Sequence, residues 1–196
     1  MMNRYAVSTL AVLLAACASR PVALIALPPA ERALAHESDT TSTTVALRPV
    51  MLPGYLDNYP VVMRRDNGSV VVSKDTEWSE RLSDAVERVL RSALSQRLGP
   101  SRVLIPGDGR IPDAELTIEF LTLDPQHGAV SLDAKWTYSC RNHASQSDRT
   151  TLQVPLTDAM ASGIASATTA ALSQFADQLA SRADCTGQVR AAQAKP

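Results

Sequence analysis

The stretch AELTIEFLTLDPQHGAVSLDAKWTYSC, residues 114–140, decides the fold of this chain. Ala114, Leu116, Ile118 and Phe120 alternate with Glu115, Thr117 and Glu119, the period of a strand with one buried face. Val130, Leu132, Ala134, Trp136 and Tyr138 repeat that pattern against Ser131, Asp133, Lys135, Thr137 and Ser139, the cleanest two-residue period in the sequence. The link from Asp124 to Gly128 is too short for a crossover, so the two strands are expected to pair antiparallel. Cys140 shares the parity of Trp136 and Tyr138 and is expected to point toward the covered face.

Working outward, residues 77–98 place Trp78, Leu82, Ala85, Val86, Val89, Leu90 and Ala93 on one face of a helix. Glu77, Glu80, Arg81, Asp84, Glu87, Arg88 and Arg91 fall on the other, a charged face that reads as solvated surface. Glu77–Arg81, Asp84–Arg88 and Glu87–Arg91 have the favoured order for i,i+4 pairing, and Gly99-Pro100 ends the helix. A second helix is expected over 158–182, capped by Thr157, with a stripe of Met160, Ile164, Ala167, Ala171, Leu172, Phe175 and Leu179. Its other positions are mostly Ala, Ser, Thr and Gln, which suits either a plain alanine-rich surface or contact with another chain. Asn67-Gly68 predicts a hairpin over 60–73, and further strands are expected over 44–52, 102–105 and 150–155. The run VALIAL at 22–27 reads as a first strand or a tether. The fold class is α/β in the α+β sense: a mixed, largely antiparallel sheet with two amphipathic helices packed on one face.

The N-terminus reads MMNRYAVSTLAVLLAAC. A positive Arg4, a short apolar run and then Leu14-Ala15-Ala16-Cys17 match an export signal ending in a bacterial lipobox. The small Ala16 suits a peptidase pocket, and the Cys17 thiol accepts diacylglycerol. Cleavage frees its amine for a further acyl group such as palmitate. Each buried CH₂ is worth about 0.8 kcal/mol, so two or three chains anchor durably where one does not. Ala18, in place of Asp, favours the outer membrane by the usual sorting rule for such lipoproteins, on its periplasmic face. The expected organisation is a signal peptide at 1–16, a lipidated segment at 17–43 holding the possible first strand and tether, a domain at 44–185 and a mobile tail at 186–196.

Only Cys140 and Cys185 then remain of three cysteines, and an oxidising compartment favours a disulfide between them. If the second helix packs on the covered face, its end meets Cys140. Cys140-x-x-His143 as a metal site lacks a second ligand pair.

The 196 residues suit one domain, and 19 basic against 20 acidic residues argue against a nucleic-acid partner. No phosphate loop, nucleophile elbow or zinc-protease motif occurs, and Gly107-Asp108-Gly109 reads as a turn. His36, His127 and His143 fall in expected loops. Asp75, Glu77 and Glu80 sit where a helix start favours acids. No catalytic site, metal or cofactor is expected. The segment Pro53-Gly54-Tyr55-Leu56-Asp57-Asn58-Tyr59-Pro60 is different: Tyr55, Leu56 and Tyr59 in a turn-rich loop suit partner contact, or Tyr55 and Leu56 fold down as core cover.

In order, the lipobox, VALIAL, Leu52-Pro53, Tyr55-Leu56-Asp57, Pro60-Val61-Val62 before Arg64, Trp78 with Leu82, and Leu132-Asp133-Ala134-Lys135-Trp136 ahead of a closing helix resemble the ABC-type transport auxiliary lipoproteins, the PqiC-like group. Asn58-Tyr59 sets two residues before Pro60 where one is commoner, and Ser79-Glu80-Arg81 replaces the group's A-E-P. The resemblance implies a non-enzymatic, outer-membrane-anchored docking component of an Mce-type ABC lipid transport system. Its implied partners are a periplasm-spanning Mce-domain protein with its inner-membrane permease, and further copies of itself in a ring. The alternative is an independent periplasmic lipid-binding lipoprotein, which needs an apolar cavity.

Overall fold

The two alternating runs form β6 (Ala114–Gln126) and β7 (Ala129–Cys140), antiparallel, with Leu116 opposite Tyr138 and Ile118 opposite Trp136. His127 and Gly128 turn between them with φ of 53° and 74°. Two successive left-handed residues match the twist of a two-residue hairpin. The computed structural model describes residues 21–30, 43–65, 67–105, 107, 109–141, 143–158, 160–183 and 185. The expected signal peptide, Cys17, His36, most of the tether and the tail from 186 lie outside them.

The remaining strands are β1 (Ala23–Ile25), β2 (Val45–Leu47), β3 (Pro60–Arg64), β4 (Val70–Trp78), β5 (Val103–Leu104) and β8 (Gln146–Pro155). The helices are α1 (Leu82–Leu98) and α2 (Ala161–Ser181). The mixed α+β class holds, but the strands divide into two sheets. One runs β5-β2-β6-β7-β8 and the other β1-β4-β3. β2 is parallel to both neighbours and β1 is parallel to β4, while the other pairings are antiparallel.

A bulge in β6 decides which residues enter the core. Phe120 faces Ala134 and Thr122 faces Asp133, so Leu121 is an extra residue. Up to Phe120 the even positions face the helices. Beyond Leu121 the odd positions do, and Leu123 and Pro125 pair with Leu132 and Val130. Strict alternation would have turned Leu123 away and put Asp124 among apolar side chains.

Both helices cover this face. Leu82, Ala85, Val86, Val89, Leu90, Ala93 and Leu94 of α1 are buried, and Phe175 of α2 meets Phe120 edge to face at 6.0 Å. Arg97 joins the helices: its Nη2 donates to the Ser173 carbonyl at 3.0 Å and its Nε pairs with Asp177. Ala165, Thr168, Thr169 and Ala176, outside the apolar stripe of α2, are also buried. Thr169 donates to the Pro28 carbonyl at 3.1 Å. At these four positions the small residues admit neighbouring parts of the same chain. Gly163 has the tightest fit, since a Cβ there would fall 2.5 Å from the Asp158 carbonyl oxygen.

Several local expectations are corrected. Trp78 does not open the helix. It ends β4 beside Ile25, and α1 starts four residues later. Its apolar spacing to Leu82 fits a helix, but pairing with β1 and burial of the indole hold it in the strand. Glu77 is therefore in a strand and Glu77–Arg81 is not a helical pair. Arg88 binds Glu80 at 2.5 Å rather than Asp84, whereas Glu87–Arg91 forms as expected. No side chain caps α2: Met160 takes the N-cap position, and Asp158, not Thr157, accepts its amide at 2.8 Å. Met160 is 67% exposed and leaves the stripe. The hairpin at 60–73 extends to Trp78, and the last strand starts at Gln146 rather than 150.

The run at 22–27 gives β1, and Leu27 and Ala30 reach the core. Arg88 donates to the Leu27 carbonyl at 3.3 Å, so this segment is fixed at both helices. At the other end of the fold Cys140 and Cys185 are joined, with Cα atoms 5.8 Å apart. The Tyr138 hydroxyl donates to the Leu179 carbonyl at 3.2 Å, so the last turn of α2 is held on β7 ahead of the bridge.

Closing a loop across 45 residues should stabilise by about 4 kcal/mol in the chain-entropy description. Reduction is expected to lower the unfolding free energy extrapolated to water by that amount and the urea midpoint with it, with a steeper slope because the released unfolded chain exposes more surface. An unchanged midpoint, or two alkylatable thiols in the oxidised protein, contradicts it.

Candidate functional site

The loop ahead of β3 carries the residues expected to make contacts, and the structure sends them in different directions. The Pro53 carbonyl accepts the amides of Leu56 and Asp57 at 2.8 and 3.2 Å, which folds the loop into a turn. Leu56 is 2% exposed and belongs to the core, the core-cover alternative for that residue. Asp57 pairs with Arg81, just ahead of α1, at 3.2 Å. Tyr55 is half-buried and points its hydroxyl at β6. Tyr59 is 49% exposed, while its carbonyl accepts the Trp78 amide at 2.6 Å. Tyr55, Leu56 and Asp57 thus fasten the loop to three different parts of the fold, and Tyr59 offers its ring to solvent.

The fastening at Tyr55 is the main electrostatic feature of the described residues. Asp124 is fully buried on the face of β6 opposite Leu123. Its Oδ2 accepts from the Tyr55 hydroxyl at 2.7 Å, from Arg64 Nε at 3.2 Å and from Arg64 Nη2 at 3.0 Å. Arg64 Nη2 also donates to the Tyr55 hydroxyl, and its guanidinium carbon lies 5.2 Å from the centre of the Tyr55 ring. Burial, aided by the hydrogen bond to Asp124 and its negative charge, pushes the Tyr55 phenol up to about 12. The Asp124 carboxylate raises the Arg64 pKa further and keeps the guanidinium charged.

This knot positions structure; it presents no nucleophile. One carboxylate oxygen is saturated by three donors, and the phenol is held protonated. The crevice between the sheets, lined by Leu56, Val62, Trp78, Leu82, Leu123 and Ile164, has a volume of about 10 Å³, room for one water. Among the described residues no three His, Cys, Asp or Glu side chains gather as a metal site. The Cys140 sulfur is committed to Cys185 and is no partner for His143 in metal binding. The three acids weighed in the sequence disperse: Asp75 accepts from Ser73 and Thr76, Glu80 binds Arg88, and Glu77 lies in β4 opposite Pro60.

Arg64 and Asp124 as a functional pair escaped the sequence reading, which placed Asp124 in a connecting link. A signal was present in Leu121-Thr122-Leu123-Asp124-Pro125. An acid inside an apolar run must either reach solvent or find a cation.

Residues 26–180 match the family described as the ABC-type transport auxiliary lipoprotein component. A solved structure described only as an uncharacterized protein superposes with a TM-score of 0.70 at 15% identity, covering 84% of this chain and 100% of that one. A protein of the DUF330 family from Xanthomonas campestris gives a TM-score of 0.65 at 15% identity, covering 80% of this chain and 91% of that one. At such identity the likeness is one of fold. No curated protein matches the chain.

Replacing Asp124 with Asn leaves Arg64 without its anion. Breaking a buried pair costs about 3–5 kcal/mol, and the 27% exposure of the Arg64 side chain reduces this to roughly 2–3 kcal/mol. Because the folded state raises the Tyr55 pKa, the stability it contributes is complete below pH 10 and is lost as pH rises from there through about 12. Denaturation curves across that range should fall less steeply for Tyr55→Phe than for the unaltered protein. Parallel curves would refute the role given to the phenol.

Proposed function

The chain belongs to the ABC-type transport auxiliary lipoprotein component family, and from this premise we propose that it is a non-enzymatic docking component of an Mce-type ABC lipid transport system. It is held at the periplasmic face of the outer membrane by acyl chains on Cys17, palmitate among them. The lipobox Leu14-Ala15-Ala16-Cys17, a few residues ahead of the matched region, carries the reading. A thiol at that spacing has an evident use in acylation, and with 45% apolar residues the rest of the chain can build a packed module to be anchored. No helix among the described residues is long and apolar enough to cross a membrane, so attachment through lipid suits this chain.

Docking is favoured over lipid carriage by how the apolar residues are used. Ligand pockets measure about 300–1,000 Å³ and enclose their ligand, whereas the enclosed crevice holds about 10 Å³ and the larger hollow, about 580 Å³ beside the β3–β4 hairpin, is an open surface groove. The partner is a periplasm-spanning Mce-domain protein, served by an inner-membrane permease, and the lipoprotein meets its distal end as a homo-oligomeric ring. Tyr59 is the contact residue of the loop, with Tyr55 and Leu56 fixing the backbone behind it. A rigid aromatic on an immobilised loop loses little entropy on binding.

Affinity capture of the acylated protein from bacterial membranes is expected to bring down an Mce-domain protein. Tyr59→Ala should weaken recovery roughly tenfold or more, as for an aromatic interface anchor. Capture with no Mce-domain partner, or lipid co-purifying in stoichiometric amount with the soluble domain, overturns the assignment.

A further inference from the structure

We propose that the tip of the β3–β4 hairpin lies against the phospholipid bilayer that holds the acyl anchor. This rests on the acylation of Cys17 proposed above. β1 is parallel to β4, with Ala23 opposite Thr76. Followed backwards, β1 therefore runs toward the hairpin turn, and the described chain ends two residues before Ala23, at Pro21. From Pro21 to Cys17 is four residues, at most about 14 Å of extended chain. From Lys74 to Val70, in the same direction, is also four residues, about 13 Å of strand. The anchor is therefore tethered within about 14 Å of Pro21, beside the end of β1 that faces the tip.

The tip has the surface such a position calls for. Val70, Val72 and Met63 are 40%, 52% and 38% exposed, all on one short hairpin. Arg65 and Lys74 are exposed beside them. Next to the tip an open groove of about 580 Å³ is mixed in character, with Met63 and Val71 beside the polar Arg64, Arg65, Asn67 and His127. Apolar side chains with a guanidinium at their margin suit the boundary between acyl chains and phosphate headgroups. Asp66 follows Arg65 in the sequence, so apolar area rather than net charge carries the contact. At the far end of β4 Trp78 is buried, Ser79 is polar and exposed, and the exposed Tyr59 ring is the one assigned above to partner contact.

The test uses the full acylated protein in phosphatidylethanolamine–phosphatidylglycerol vesicles, with an environment-sensitive fluorophore on Val72→Cys, or in separate samples on Val70→Cys or Ser79→Cys. The expected result is a blue shift and quenching by lipids spin-labelled near the headgroup for the labels at 72 and 70, and neither for the label at 79. Vesicle-bound protein whose tip labels match the Ser79 position overturns the proposal while leaving the anchor intact. Protein that does not bind vesicles overturns the acylation reading, and the proposal with it. A blue shift that appears without vesicles and grows with protein concentration assigns the tip to a second copy and also overturns it.

Discussion

A single buried carboxylate ties the two sheets together. Asp124 has no exposure, and an ion in that position persists only with a cation and donors around it. Arg64 supplies the cation from β3 and Tyr55 supplies a phenol from the preceding loop. The loop in turn is committed by Leu56 to the core and by Asp57 to the start of α1. The residue that makes all this necessary is Leu121. The bulge reverses the parity of β6, so Leu123 stays in the core while Asp124 is turned to the side where β3 can meet it.

Much of this was legible in the sequence where one face of an element is covered. Period two in β6 and β7, period 3.6 in α1 and α2, and the parity of Cys140 all point to the arrangement found. Legibility failed where the deciding contact is distant. Trp78 continues a helical spacing, yet strand pairing with residues 23–25 holds it in β4, fifty residues from its partners in sequence. The division into two sheets follows from the same pairing. A bulge leaves no mark in a hydrophobic pattern beyond a local break, and Asp124 could be read as the polar end of a turn. The small residues of α2 permit more than one neighbour. Only packing shows that Thr169 meets Pro28 and that Ala165 and Ala176 are covered by the chain itself.

The functional picture follows from where side chains are spent. Tyr55, Leu56 and Asp57, which carry part of the resemblance to the family, are used to lock a loop, and Arg64 completes the lock. Landmarks of this kind preserve a shape rather than a reaction. What remains outside the lock is surface: the Tyr59 ring at one site, and the exposed apolar side chains of the β3–β4 tip at another. In the docking role proposed above, a module with fixed surfaces has use for that economy.

The state of Cys17 decides most, since the proposed anchor would set both the location of the module and its orientation. The direct measurement is intact-mass and N-terminal peptide analysis of the protein extracted from cell membranes. The expected product begins at Cys17 and carries diacylglycerol on the thiol with an acyl group on the amine. A product that begins at another residue, or that carries an unmodified Cys17, contradicts the account.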